Sequence, residues 1–375
     1  MKNKLAISLV LGIAFSAGTL YFAFKNVPLQ ELIGYMGTIN YIWIVPSTVL
    51  VVSSFALRAY RWQIILSPSR PVNFWRAFHP LMIGFMLNCV LPGRVGEIAR
   101  PIILYRQASV PFSSGLATVA AERIFDIFAL IVFFSVTIWL VQIDPNIDIA
   151  FGSYHLNRDL LLSLGGGVAK AGLVLIFGIM AIYSAPVRGI LNKGVMYLPR
   201  LFTFMGQQTT ARIEQRICRP IVTILNNFAT GFDLIQYPRH IVSCMILTIL
   251  IWGLASLSYY LMAKGCPGIR ISFLEMSAVM IIICFFIALP SVPGYWGIWE
   301  AGGVFALMVF GTSKTDAAGF TLASHVVQIL PVVLIGLVSA SLTGANIWQV
   351  RNAVALEIPD KSIDDVPADR SETGP

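Results

Sequence analysis

Leu91-Pro92-Gly93-Arg94-Val95-Gly96-Glu97 closes one apolar run. About 200 residues later Leu289-Pro290-Ser291-Val292-Pro293-Gly294-Tyr295-Trp296-Gly297-Ile298-Trp299-Glu300 closes another in nearly the same way. Each passage leaves a hydrophobic segment through Leu-Pro, bends at spaced glycines and finishes on a glutamate. Proline removes a backbone donor and glycine admits left-handed backbone, so a helix breaks at Pro92, Gly93 and Gly96, and again at Pro290, Pro293, Gly294 and Gly297. Breaks at corresponding places in two halves of a hydrophobic chain point to a transporter's central site.

The rest of the composition places those breaks in a membrane. Of the 375 residues 57% are hydrophobic and 12% charged, with a mean hydropathy of +0.78, which excludes a soluble domain and reads as a polytopic membrane protein. Met1-Lys2-Asn3-Lys4 precedes an uncharged run from Leu5 to Phe24. That run is long enough to span and is followed by no convincing small-residue cleavage site, so it reads as a retained signal anchor. The formal charge of +8 sits in loops between apolar runs, a positive-inside pattern rather than a nucleic-acid-binding face. Cys89, Cys218, Cys244, Cys266 and Cys284 form no C-x-x-C pair, and His79, His155, His240 and His325 lack ligand spacing. No metal and no cofactor are expected.

The fold class expected is an all-α polytopic membrane protein. Apolar windows place full spans at about 5–24, 41–57, 113–141, 160–183, 239–262 and 317–345, with broken regions at about 74–106 and 273–311. Arg58, Arg61, Arg70 and Arg76 after the second span, and Arg188, Lys193, Arg200, Arg212, Arg216 and Arg219 in the segment 184–238, mark cytoplasmic connections. Residues 142–159, with Asp144, Asp148 and Asp159 against Arg158, suit the outside, and both termini fall inside. The chain is then inside at Arg76 and again at Arg106, so 77–104 must enter and return. From Gly268 to Thr315 it does the same from outside. Irregular backbone at that depth requires surrounding protein or water, so each motif becomes the tip of a re-entrant helical hairpin. Halves 1–158 and 159–350 form an inverted-topology repeat, supported by Glu122 following Glu97, and His325 following Glu300, at the same interval of about 25 residues. Segment 184–238 is either an interfacial amphipathic helix or a solvated connector. Residues 351–375 read as a disordered cytoplasmic tail.

A charge facing lipid at mid-bilayer costs about 2.5 to 3.5 kcal/mol, so Arg94, Glu97, Arg100, Glu122, Arg123 and Asp126 would together lose roughly 15 kcal/mol there. They must face protein or water. Arg94, Glu97 and Arg100 recur at three residues, Glu122 and Asp126 at four, and Arg123 pairs with Asp126 at three, giving two charged stripes that can face each other. One reading makes them ion pairs that lock hairpin to span. The other makes Arg94 and Arg100, beside a half-helix N-terminus, the seat of a phosphate, with Asn88 satisfying freed backbone groups or touching the ligand. The second tip carries Tyr295, Trp296 and Trp299, which line an acyl path or anchor at the interface. Glu300 is a proton carrier, a partner of a basic head group, or a partner of Arg94 or Arg100. His325 is a weaker site candidate, since a lone histidine often bonds a neighbouring helix.

The run from Asn88 through Leu91-Pro92-Gly93-Arg94-Val95-Gly96-Glu97 to Arg100 resembles the lysylphosphatidylglycerol synthase transmembrane, or flippase-like, family. So do Glu122-Arg123-Ile124-Phe125-Asp126, the residues Pro293-Gly294 to Gly297 and Glu300, and Arg58 with Arg61-Trp62. The resemblance covers about residues 5–348. It implies an integral inner-membrane domain linked to translocation of phospholipid or lipid-linked glycan. Tyr295 stands where the family usually has a second glycine. The aminoacyl-lipid synthases carry a soluble transferase after the membrane domain, whereas here a short tail follows, so synthase activity is not implied.

The function expected is a translocase for a phospholipid or a lipid-linked phosphate-bearing glycan. Without a G-x-x-x-x-G-K-[ST] motif it is not ATP-driven within this chain. The alternatives are a membrane-embedded transferase acting on lipid-linked sugars or phosphates, with Glu97 or Glu122 as base, and a non-catalytic membrane partner of a separate lipid-modifying enzyme. Expected partners are membrane lipids with an anionic head group. Gly165, Gly166 and Gly167 allow close helix contact, inside the fold or in a homo-oligomer.

Overall fold

The computed structural model describes residues 27–91, 94–140, 237–289 and 292–345, with parts of 14–25 and 148–222. The expected span at 160–183 falls largely outside them; Pro92, Gly93, Pro290 and the tail 351–375 fall outside altogether. The first half comprises α1 (Leu29–Thr38), α2 (Ile44–Leu66), α3 (Phe74–Val90), α4 (Val95–Ala108) and α5 (Phe112–Leu140). After α6 (Ala185–Tyr197), the second comprises α7 (Pro238–Lys264), α8 (Phe273–Ile287), α9 (Ile298–Val309) and α10 (Lys314–Thr343). Among the described residues three helical stretches are long and apolar enough to cross a membrane, Tyr41–Leu66, Pro238–Lys264 and Lys314–Thr343. The chain is a helical membrane protein.

One expectation needs refinement and one correction. Within the all-α class the chain carries one short strand pair, Asp148–Phe151 (β1) antiparallel to Tyr154–Asn157 (β2), with Phe151 opposite Tyr154. Aromatic and branched residues alternate there over too few residues for a helical period to emerge. The second span does not stop near residue 57: α2 continues to Leu66, and Arg58 and Arg61 lie inside it, both buried, rather than in a cytoplasmic loop. Hydropathy ends a span at the first charges. These two are tolerated because acidic side chains of α5 meet them.

Local sequence explains the helix starts. Asn73 caps α3, its Oδ1 accepting from the Arg76 amide at 2.9 Å. Ser272 and Glu275 form a reciprocal capping box on α8. Ser313 caps α10, accepting from the Asp316 amide at 3.2 Å. Each satisfies amides that hydrocarbon cannot.

Packing repeats between the halves. α2 lies along α7 in the most extensive helix contact among the described residues. α3 packs on α4 and α4 on α5, as α8 packs on α9 and α9 on α10. The last long helix of each half lies on the other half's first hairpin helix, α10 on α3 and α5 on α8. α3 and α4 run antiparallel and almost touch: a Cβ on Gly96 would collide with the Gly84 carbonyl, and one on Gly84 with the Arg100 side chain. Only glycine lets the two backbones approach so closely. The four hairpin helices have 17, 14, 15 and 12 residues, about 18 to 26 Å at ~1.5 Å per residue. Each falls short of the ~30 Å hydrocarbon core.

Candidate functional site

The two hairpin tips meet. Arg94 caps α4 in left-handed backbone at φ 53°, and its Nη2 donates to the carbonyl of Ile287, the last residue of α8, at 3.1 Å. The turn Pro293–Tyr295 packs on α3. Beside this junction lies a cavity of about 220 Å³, walled by Arg58, Phe85, Asn88, Arg94, Glu97, Arg123, Trp252, Tyr259, Tyr295 and Gln328 among others. Its residues come from the middles of α2, α7 and α10 and from both tips.

Behind the wall is an ionic network. Arg100 Nη2 bonds Glu122 Oε2 at 2.8 Å, and Arg61 Nη2 lies 2.9 Å from Asp126 Oδ1 and 3.4 Å from Glu122 Oε1. Arg123 reaches Glu122 at 3.3 Å and Asp126 at 3.5 Å, while Arg58 lies 3.7 Å from Asp126. Arg61 Nη1 also donates to Thr248 at 2.6 Å, and the Trp252 indole donates to Asp126 at 3.3 Å. Three guanidinium groups, of Arg58, Arg100 and Arg123, lie within 6 Å of the Phe85 ring, where its negative face offsets part of their mutual repulsion.

With Arg94 and Glu97, 3.9 Å apart at the mouth, the assembly holds five arginines against three carboxylates, a formal excess of two positive charges. Nε of Arg58 and Nε of Arg123 are buried without a hydrogen-bond partner in the protein. A cavity lined by Arg58, Arg94 and Arg123, beside a network with excess positive charge, suits an anion.

The two charged stripes read from the sequence meet at Arg100 and Glu122, and their residues differ in position. Arg94, Glu97 and Arg123 line the cavity; Arg100, Glu122 and Asp126 do not, and Arg100 instead lies fully buried over the Trp62 ring at 4.2 Å. Asn88 lines the wall and also satisfies backbone, its Oδ1 accepting from the Gly96 amide at 2.7 Å. Tyr295 lines the cavity at φ 61°, so tyrosine here holds the left-handed backbone that glycine adopts freely, at a cost of about 1 to 2 kcal/mol.

Trp296, Glu300 and His325 stand apart from the cavity wall. Glu300 is fully buried, accepting at Oε2 from the Gly297 amide at 2.7 Å and meeting His325 Nδ1 at 2.5 Å. Among the described residues its ion-pair partner is His325, not Arg94 or Arg100. Sequence reading passed over Arg58, Trp252, Tyr259 and Gln328 as site residues. The signal for Arg58 was its three-residue spacing from Arg61, the helical complement of Glu122 and Asp126.

The family described as the lysylphosphatidylglycerol synthase TM region matches residues 9–336. A UPF0104 membrane protein of Pyrococcus horikoshii is 25% identical over 288 residues, covering 76% of this chain and 82% of that protein. Glycosyltransferase AglD of Haloferax volcanii is 22% identical over 190 residues, which cover 47% of this chain and 30% of that protein.

Proposed function

Because this chain belongs to the lysylphosphatidylglycerol synthase TM-region family, we propose that its arginine-rich cavity receives the phosphate-bearing head group of a membrane lipid and that the protein moves this lipid between leaflets. The observation that carries the reading is the cavity itself, where Arg58, Arg94 and Arg123 converge with Glu97; with the central helices spanning the bilayer, a lipid phosphate there is stable only against such donors. The glycosyltransferase name of the second relative keeps a sugar-bearing lipid phosphate among the candidates beside a phospholipid.

The architecture proposed with it is six full spans and two re-entrant hairpins, α3–α4 entering from the cytoplasm and α8–α9 from outside. The repeated packing of the halves and the shortness of the hairpin helices support an inverted-topology repeat. Meeting tips then form one gate that rocking of one half against the other opens to alternate faces. Both termini lie in the cytoplasm of an inner, or cytoplasmic, membrane.

Purified protein in liposomes tests the function. Lipid crossing with no change of lipid composition is expected; formation of new lipid species would make the protein an enzyme, and neither result would leave it a partner of one.

A further inference from the structure

Glu300 and His325 are almost fully buried, and hydrogen-bond bookkeeping fixes their proton content. His325 Nε2 lies 2.8 Å from the carbonyl oxygen of Gly294, which only accepts, so Nε2 carries hydrogen. Nδ1 lies 2.5 Å from Glu300 Oε1, where two bare lone pairs would repel, so a proton lies between them. The pair thus holds one proton more than a neutral imidazole facing a carboxylate. Written either as imidazolium with carboxylate or imidazole with carboxylic acid, it is formally neutral as a unit.

What the pair grips is the second tip. Gly294 (φ 74°), Tyr295 (φ 61°) and Gly297 (φ 89°) all adopt left-handed or otherwise unusual backbone. Two backbone groups of this turn are held by the pair, the Gly294 oxygen by His325 and the Gly297 amide by Glu300. Trp299 stacks on the imidazole at 4.4 Å and Trp296 leans on it at 4.5 Å. Tyr295 and Trp299 are at the same time cavity wall. A strained turn beside the cavity is thus held at two points by one protonated pair.

We propose that Glu300 and His325 form a proton-binding site that latches the second hairpin tip. Loss of one of the pair's two protons to water leaves the ring a single hydrogen for two acceptors; drawn to Nδ1 by the Glu300 carboxylate, it leaves the Gly294 oxygen without its donor, which loosens the turn and withdraws Tyr295 and Trp299 from the cavity wall. The consequence for lipid movement rests on the translocase reading; the latch does not. Titratable groups on the packed elements are Tyr259 on α7, which also stacks against Trp299, Cys284 on α8 and Tyr295 on the tip. Charged groups across the cavity are Arg58, Arg94, Arg123 and Glu97.

Hydrogen exchange of the peptide spanning 292–300, followed from pH 5 to 9 in lipid nanodiscs, tests the latch. Glu300→Gln provides the reference, because its amide satisfies the Gly297 amide, His325 Nδ1 and the cap without a titrating proton. The wild-type tip should exchange about tenfold faster than Glu300→Gln above a threshold pH and at the same rate below it. Equal exchange at every pH overturns the proposal. Should Glu300→Gln fail to fold, ¹⁵N-histidine spectra of the unmutated protein decide: both ring nitrogens of His325 should share protons while the tip is protected, and one should lose its proton as protection falls. A singly protonated ring beside a protected tip also overturns it. A working latch without lipid crossing removes the translocase reading alone, and crossing with a pH-indifferent tip removes the latch alone.

Discussion

Arg94 joins the two hairpins by donating across 193 positions of sequence to the main-chain carbonyl of Ile287. The carbonyl belongs to the final residue of α8, where the helix leaves acceptors without intrahelical partners. A cation there is favourable for the α8 dipole as well as for the bond. The same side chain lines the cavity, so one residue both ties the tips together and faces the proposed ligand.

Replacing Arg94 with alanine should therefore weaken binding of a phosphate head group by about 10- to 100-fold, the equivalent of ~1.5 to 3 kcal/mol for a charged hydrogen bond. Membrane abundance and thermal unfolding should stay near wild type, since the side chain is 46% exposed. Binding titrations with phosphate lipid in nanodiscs measure the first, and unfolding monitored in detergent the second.

Arg100→Ala should behave in the opposite way. Arg100 is 2% exposed and its Nη2 is bonded to Glu122, which is fully buried, so truncation strips the carboxylate of its shortest contact. Breaking a buried pair from one side costs roughly 3 to 5 kcal/mol, and the folded fraction should fall sharply. A stable, abundant Arg100→Ala protein that has merely lost binding would instead make Arg100 a ligand contact.

Gly96→Ala should disrupt the first hairpin, because the added methyl meets the Gly84 carbonyl and the Asn88 side chain, and backbone cannot swing aside. A loss of about 1 to 3 kcal/mol is expected, read as a lower unfolding midpoint, whereas Gly253→Ala, inside α7 with open space around it, should not lower the midpoint, because alanine favours helix over glycine by about 0.5 to 1 kcal/mol.

The proposed entry of the hairpins from opposite faces can be read by thiol labelling in sealed vesicles. Trp75→Cys, at the start of α3, should react only with reagent on the cytoplasmic side, and Phe273→Cys, at the start of α8, only with reagent outside. Both positions are exposed. Labelling of both from one side would contradict the inverted arrangement.

Sequence reading located both tips because proline and glycine act locally, and a break is visible without knowing what it touches. It also grouped Arg94, Glu97 and Arg100, and Glu122, Arg123 and Asp126, into two stripes that can face each other, since helical spacing sets which side chains share a face. It gave Arg100 and Arg94 equal weight, although a neighbour on another helix buries one and leaves the other at the cavity. Charge arithmetic along one segment cannot supply that neighbour. Arg58 was hidden for a related reason: hydropathy treats a charge as the end of a span, and only Asp126, 68 positions away in the sequence, shows that α2 carries it inward. The joining of Glu300 to His325 was not legible, since their interval pointed only to a repeat and the partners expected for Glu300 were a head group or an arginine; the grip of that pair on the Gly294 oxygen arises from a turn whose backbone no spacing rule describes.

The most direct measurement is a high-resolution density map of the protein in lipid nanodiscs. A lipid phosphate within hydrogen-bond distance of Arg58, Arg94 and Arg123, between the two tips, is the predicted result. Phosphates confined to the membrane surfaces, with the cavity holding acyl chains alone, would contradict the account.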